Sequence, residues 1–197
     1  MKYERSDIFT VPNAVTFGRL VLSPYMAKRL ERDPKNNWLK ACLFVSSDIL
    51  DGFMAKSGEE IPWLKAVGFR KSELGRLLDP VIDKPTTVQL LRAGWRNGVL
   101  PKPLTAVAIS QKVAISAHAL YQAHNGIEQQ VSQLGRRTEL LSNLGFGSLF
   151  AAESIEDERL KQHAREVATA VAVVGVAGAI IADVGYLRAA KQQNILQ

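Results

Sequence analysis

The sequence predicts an all-α fold in a single domain over residues 1–197, an integral membrane bundle of six transmembrane helices. Three observations carry this expectation. Six apolar segments are separated by polar or Pro/Gly-marked breaks, and the Val/Ile/Thr alternation of strands recurs in none of them. If the segments cross a bilayer in turn, the N-terminus, the Lys56 to Arg76 loop, the Arg136-Arg137 loop and the Arg188/Lys191 tail share one side, as basic loops do on a cytoplasmic face. In the last segment Gly175 with Ala179 and Gly178 with Ala182 place small residues one turn apart, as close helix approach in lipid requires.

The first segment, residues 14–30, stops at ERDPKNN, where Pro34 interrupts the backbone hydrogen-bond pattern. The second, 38–56, ends in SSDILDGFMAK and is followed by a long loop carrying Lys65, Arg70 and Lys71. Residues 76–93 form the third, bounded by NGVLPKP; 104–123 the fourth, bounded by HNGIEQQ; and 138–152 the fifth, bounded by ESIEDERLKQH. The sixth, 165–189, holds the longest apolar run, Val167 to Ala182. No run reaches the length of about 18 uncharged residues that announces a span unaided, so composition also permits a soluble helical protein. Trp38, Trp63 and Trp95 sit near segment ends, as an interfacial belt would place them.

A net charge of +6 calls for an anionic partner: an acidic lipid surface, a phosphorylated substrate or nucleic acid. Lys and Arg cluster at segment ends and in loops rather than along one helix face with aromatics, which argues against nucleic acid. Cys42 is the one cysteine, so no internal disulfide forms. MKYERSDIFTVPN lacks the apolar core of a signal peptide, and no cleaved leader is expected. His118, His124 and His163 lack metal-site spacing, and no Gly-rich phosphate loop or Ser/His/Asp arrangement is present.

The most informative stretches are SSDILDGFMAK and ELGRLLDPVIDK. Asp48 and Asp51 stand at i, i+3, and Asp79 and Asp83 at i, i+4, so on helices each pair shares a face. Four carboxylates among Leu, Ile, Val and Phe are costly to ionise unless a cation neutralises them, and hard divalent ions take such oxygen ligands. Gly52 and Gly75 leave room for a ligand to approach, and Lys56 and Arg76 are placed to meet phosphate oxygens.

Asp48-x-x-Asp51-Gly52-x-x-Ala55-Lys56, followed by Gly75-x-x-x-Asp79-x-x-x-Asp83, resembles the signature of the CDP-alcohol phosphatidyltransferases. Pro12-Asn13-x-x-Thr16-x-x-Arg19-x-x-x-x-Pro24 is similar to the first-helix pattern of the same family. Two departures stand out: Lys56 occupies a position where the family usually has Arg, and the gap from there to Gly75 is longer than usual. Lys keeps the charge but loses the bidentate fork.

The resemblance implies an enzyme of phospholipid biosynthesis that moves the phosphatidyl group of CDP-diacylglycerol to a small alcohol and releases CMP. It would use two Mg²⁺ or Mn²⁺ ions per site, held by Asp48, Asp51, Asp79 and Asp83, with Asp83 also the general base. Asn13, Thr16, Arg19, Gly52, Ala55, Lys56, Gly75 and Arg76 would form the nucleotide and diphosphate pocket. The family also implies a homodimer and an active site toward the cytoplasm. LLDPVIDK, with Pro80 and Lys84, looks most like the phosphatidylglycerophosphate synthase and cardiolipin synthase branch. A glycerol-3-phosphate acceptor is the expectation, with Arg136 and Arg137 holding its phosphate where this branch tends to have Gly-Lys-x-Lys-Thr. Gln111-Lys112 replaces an Arg-Glu pair expected on the fourth helix.

The alternatives are a cardiolipin synthase-like enzyme or one using another acceptor, and a catalytically degenerate basic helical membrane or binding protein. Mg²⁺-dependent prenyl transferases also present acidic pairs to a diphosphate. The absence of an adjacent Asp pair and the Gly after Asp51 argue against that class.

Overall fold

The computed structural model describes residues 11–43, 73–124 and 133–195, and among them every regular element is a helix. They are α1 (Val11–Arg32), a helical stretch at 34–43, α2 (Glu73–Arg96), α3 (Lys102–His124), α4 (Gln133–Ala152) and α5 (Glu158–Ile195).

The chemistry of each break explains where the helices stop. After α1, Asp33 takes the N-cap role, its Oδ1 accepting from the Asn36 amide at 3.3 Å, with Pro34 at the first helical position. Asn37 is buried and donates to the Asp33 carbonyl at 2.9 Å, so the ERDPKNN break is closed by its own side chains. Past α2 the chain turns at Gly98, whose φ of 78° is open to glycine at little steric cost. Asn97 there accepts from the Val99 amide and donates to the Leu30 carbonyl at the end of α1, both at 3.0 Å. Asp157 caps α5 by accepting from the amides of Arg159 and Leu160, at 2.9 and 3.0 Å.

That cap corrects one boundary. The sequence places the start of the last segment at residue 165, because ERLKQH reads as a polar loop, whereas α5 begins at Glu158. Its first two turns are polar yet helical, and they seat Arg165 and Lys161 against Glu153. At 38 residues α5 is about 57 Å long, well beyond the roughly 30 Å hydrocarbon core of a bilayer.

Among the described helices, α4 and α5 form the closest pair. A Cβ on Gly145 would strike the Ala172 backbone, one on Gly175 the Ser142 backbone, and one on Gly178 the Thr138 side chain. Small residues thus bring the two backbones together, as the Gly175/Ala179 and Gly178/Ala182 spacing predicts. α1 packs on α2 and α2 on α3, while α3 meets α5 more sparsely. Leu30, Leu90, Leu91, Leu100, Phe146, Leu149, Phe150 and Ala172 make one apolar core at the end of the bundle where α1 finishes.

Among the described residues, one helix is long and apolar enough to cross a membrane: α5, over Glu158–Gly185. Only 33% of its most apolar window is buried, and Val173, Val174 and Ile181 lie on its exposed side. The other helices carry internal charges that lower their hydropathy, among them Arg19 and Lys28 in α1, Lys84 and Arg92 in α2 and Lys112 in α3.

Candidate active site

The buried face of each helix changes character along the bundle. Toward the start of α1 it is polar: Arg19 and Ser23 on α1, Thr86 on α2, Lys112 and Gln122 on α3, and Thr138 and Ser142 on α4 are all buried. The outward faces of these same helices carry Phe17, Leu20, Val21, Val113, Leu120 and Leu141, all exposed. A helix in water buries its apolar face, so this is the reverse of a soluble bundle's pattern at that end.

Registers between helices set what lies at that end. Ser23 donates to Gln89 at 3.2 Å, Glu31 pairs with Arg96 and Asn97 donates to Leu30, separations of 66, 65 and 67 residues. α1 and α2 therefore run parallel at nearly constant register, which carried down puts position 13 level with 79 and position 16 level with 82. Between α2 and α4, Lys84 pairs with Glu139 (55 residues apart), and a Cβ on Gly94 would meet Phe150, 56 residues away. The same arithmetic sets Arg136 level with position 81, between Asp79 and Asp83.

Asn13, Thr16 and Arg19 thus lie on α1, and Gly75, Arg76, Asp79 and Asp83 on α2, with positions 79 and 83 on one helix face. Arg136 and Arg137 lie on the first turn of α4 and are exposed. The topology brings all three groups to one end of the bundle. Asp48, Asp51, Gly52, Ala55 and Lys56, and the long loop after them, lie outside the described residues. Among the described residues no group of three or more His, Cys, Asp or Glu side chains could hold a metal ion.

Just inside these positions is a charged cluster that sequence reasoning did not assign. Lys84 of α2 and Lys112 of α3 both donate to one oxygen, Oε1, of Glu139 on α4, Lys112 at 3.2 Å. Beside them Gln111 of α3 donates to Asp183 of α5 at 2.6 Å. Four helices meet there. The signal was present in pieces, since Lys84 directly follows Asp83 and Gln111-Lys112 departs from the family's pattern. Its partner Glu139 was visible only as one residue of GRRTEL.

Next to the cluster, a cavity of about 220 Å³ opens between the 34–43 stretch, α2 and α4. Trp38, Cys42, Leu90, Leu91, Leu144 and Phe146 are among its lining residues, and its wall is mostly apolar.

A family profile described as CDP-alcohol phosphatidyltransferase matches residues 9–181. The chain is similar to the cardiolipin synthase (CMP-forming) of Rattus norvegicus, with 30% identity over 114 residues, 57% of this chain and 35% of the relative. It is also similar to that of Homo sapiens, with 29% identity over the same shares, and to a probable cardiolipin synthase (CMP-forming) of Drosophila melanogaster, with 28% identity over 57% of this chain and 33% of the relative. The matched region spans about a third of the length of these relatives. No solved structure matches the chain.

Proposed function

Because the chain belongs to the CDP-alcohol phosphatidyltransferase family, we propose that it transfers the phosphatidyl group of CDP-diacylglycerol to a glycerol-based alcohol and releases CMP. The observation that carries this reading is the convergence of the family's α1 and α2 positions with Arg136 and Arg137 at the polar-cored end of the bundle. In this reading Asp48, Asp51, Asp79 and Asp83 hold two divalent ions, Mg²⁺ or Mn²⁺, for which an all-carboxylate set of hard oxygens is the right chemistry. When bound, the ions neutralise the diphosphate and polarise the phosphorus that is attacked.

The chain's own residues then divide the work. Asn13, Thr16, Gly52, Ala55, Lys56, Gly75 and Arg76 hold the cytidine and diphosphate together with Arg19, which is buried on α1. Asp83 accepts the proton of the acceptor hydroxyl as its oxygen forms a bond to phosphorus and the bond to CMP breaks. Arg136 and Arg137 take the acceptor's phosphate. Since charge on phosphoryl oxygens is the chief barrier, most of the acceleration comes from positioning and electrostatics.

The glycerol-3-phosphate acceptor expected from LLDPVIDK competes here with phosphatidylglycerol. Similarity to proteins named cardiolipin synthases favours phosphatidylglycerol, a lipid acceptor whose headgroup also carries a phosphate for Arg136 and Arg137. The apolar cavity beside the charged cluster can take a stretch of acyl chain, which suits a lipid substrate. The reading also places the chain in a bilayer as six spans, with the polar end toward the cytoplasm and two chains per assembly. The exposed apolar faces of α1, α3 and α5 support lipid contact.

The test is CMP release from CDP-diacylglycerol by detergent-solubilised full-length chain with Mg²⁺ or Mn²⁺, offering phosphatidylglycerol, glycerol-3-phosphate, inositol phosphate and serine in turn. Release that depends on one acceptor names the substrate. No release with any acceptor, from protein shown to be folded, overturns the reading.

A further inference from the structure

The helices α1 to α5 form two closely packed parts. Among the described helices, α1, α2 and α3 pack in sequence, α4 and α5 lock through glycines, and direct backbone approach between these two groups is sparse, with the 34–43 stretch meeting α4 where Cys42 lies against Gly147. Of the positions assigned to metal and nucleotide, Asn13, Thr16, Arg19, Gly75, Arg76, Asp79 and Asp83 lie on the first part, and Arg136 and Arg137, assigned to the acceptor's phosphate, lie on the second. Among the described residues, side chains join them at the polar end: Glu139 holds Lys84 and Lys112, and Gln111 donates to Asp183.

We propose that Glu139 is a positioning residue that ties the donor half of the site to the acceptor half and so sets the distance across which the phosphatidyl group moves. The proposal rests on the functional reading above for Asp83, Arg136 and Arg137.

Geometry supports it in three ways. Lys84 is the next residue after Asp83, and Glu139 lies three residues after Arg136, a rise of about 4.5 Å along α4. A change at the tie therefore passes to both groups through less than one helical turn. Both lysines use the same oxygen of Glu139, so removing that one carboxylate releases α2 and α3 together. The α1–α2 contacts, made through Ser23, Glu31 and Asn97, would hold the donor half together without it.

The cluster is better suited to holding helices than to binding a ligand. Two lysines face two carboxylates, Glu139 and Asp183, so the charges balance without an added anion. Lys112 is 2% exposed, its ammonium group held by Glu139. Burying such a set is expensive, and breaking it by removing one partner leaves charge stranded in the interior.

The experiment compares parent, Glu139→Gln and Glu139→Asp chains, full length in detergent, by two readouts. Steady-state CMP release is measured with the acceptor varied at saturating CDP-diacylglycerol, and then the reverse. Separately, the distance between probes carried by non-natural amino acids at positions 92 and 141, exposed sites on α2 and α4, is measured without substrate.

For Glu139→Gln the expected result is a fall of about tenfold to a hundredfold in kcat/KM for the acceptor, the size of effect that a misplacement near 1 Å produces. KM for CDP-diacylglycerol should stay close to the parent's, the probe distance should shift or broaden, and Glu139→Asp should recover part of both effects. A probe distance unchanged in Glu139→Gln overturns the proposal, as does a loss that strikes both substrates equally and tracks the amount of folded protein. If the parent releases no CMP with any acceptor, the catalytic reading falls, and the probe distance alone decides whether Glu139 ties the halves.

Discussion

At the scale of single residues, the proposed site divides into groups assigned to the chemistry and groups assigned to placing them. On the proposed reading Asp83→Asn, which keeps the side chain's size, removes both the base and a metal ligand, so CMP release should fall to background while the protein still extracts and elutes as the parent does. Chelation of divalent ions should give the same loss, reversed by adding Mg²⁺ or Mn²⁺; release that survives EDTA would remove the metal-held mechanism. Arg136 and Arg137 are exposed and can be truncated without burying a stranded charge. Arg137→Ala should raise the acceptor's KM about tenfold, the equivalent of one lost charge-assisted hydrogen bond. A change in KM for CDP-diacylglycerol instead would reassign that arginine to the donor. Glu139 differs in kind, because it reaches the reaction only through what it holds.

At the scale of elements, α4 and α5 show how small residues become architecture. Gly145 and Gly175 each sit where a Cβ would collide with the backbone of the opposite helix, so the two axes approach as closely as they do only because both positions are glycine. Gly175→Val should cost about 1–3 kcal/mol through overpacking, read as a lower unfolding temperature in detergent. Gly185, where an added Cβ meets nothing, is the control, and Gly185→Ala should leave that temperature close to the parent's or slightly raised. Equal sensitivity at the two positions would argue that helix propensity, rather than close packing, sets the effect. α1 and α2 achieve their match differently, through two side-chain pairs and an Asn97 bond to the Leu30 carbonyl at a register of 65 to 67 residues, and this register lays the family's first-helix positions level with the third and fourth Asp.

At the scale of the whole molecule, the gradient from polar to apolar core is the organising feature. Leu30, Leu149 and Phe150 close one end as an ordinary hydrophobic core, while Arg19, Lys112, Gln122 and Thr138 occupy the equivalent interior at the other. With Val21, Val113, Val174 and Ile181 exposed on the outside, the molecule presents apolar surface that a bilayer would cover. The expected outcome is that the chain partitions with membranes, resists carbonate or high-salt washing and is released by detergent; recovery in the soluble fraction without detergent would remove the bilayer placement. The sequence by itself determined the helical class, the positions of the first, third, fourth and fifth segments to within about five residues, and the family through Asp48, Asp51, Asp79 and Asp83, because local periodicity and short fixed spacings are properties of neighbouring residues; the second segment ends outside the described residues. It missed the true start of α5, where a polar stretch folds as helix once Asp157 caps it and Glu153 pairs with Arg165. Only the tertiary structure decided that Lys84, Lys112 and Glu139 meet, and that Arg136 stands level with the turn between Asp79 and Asp83. Those facts depend on helix register across separations of 27 and 55 residues, and register is set by packing between helices, which no local pattern encodes.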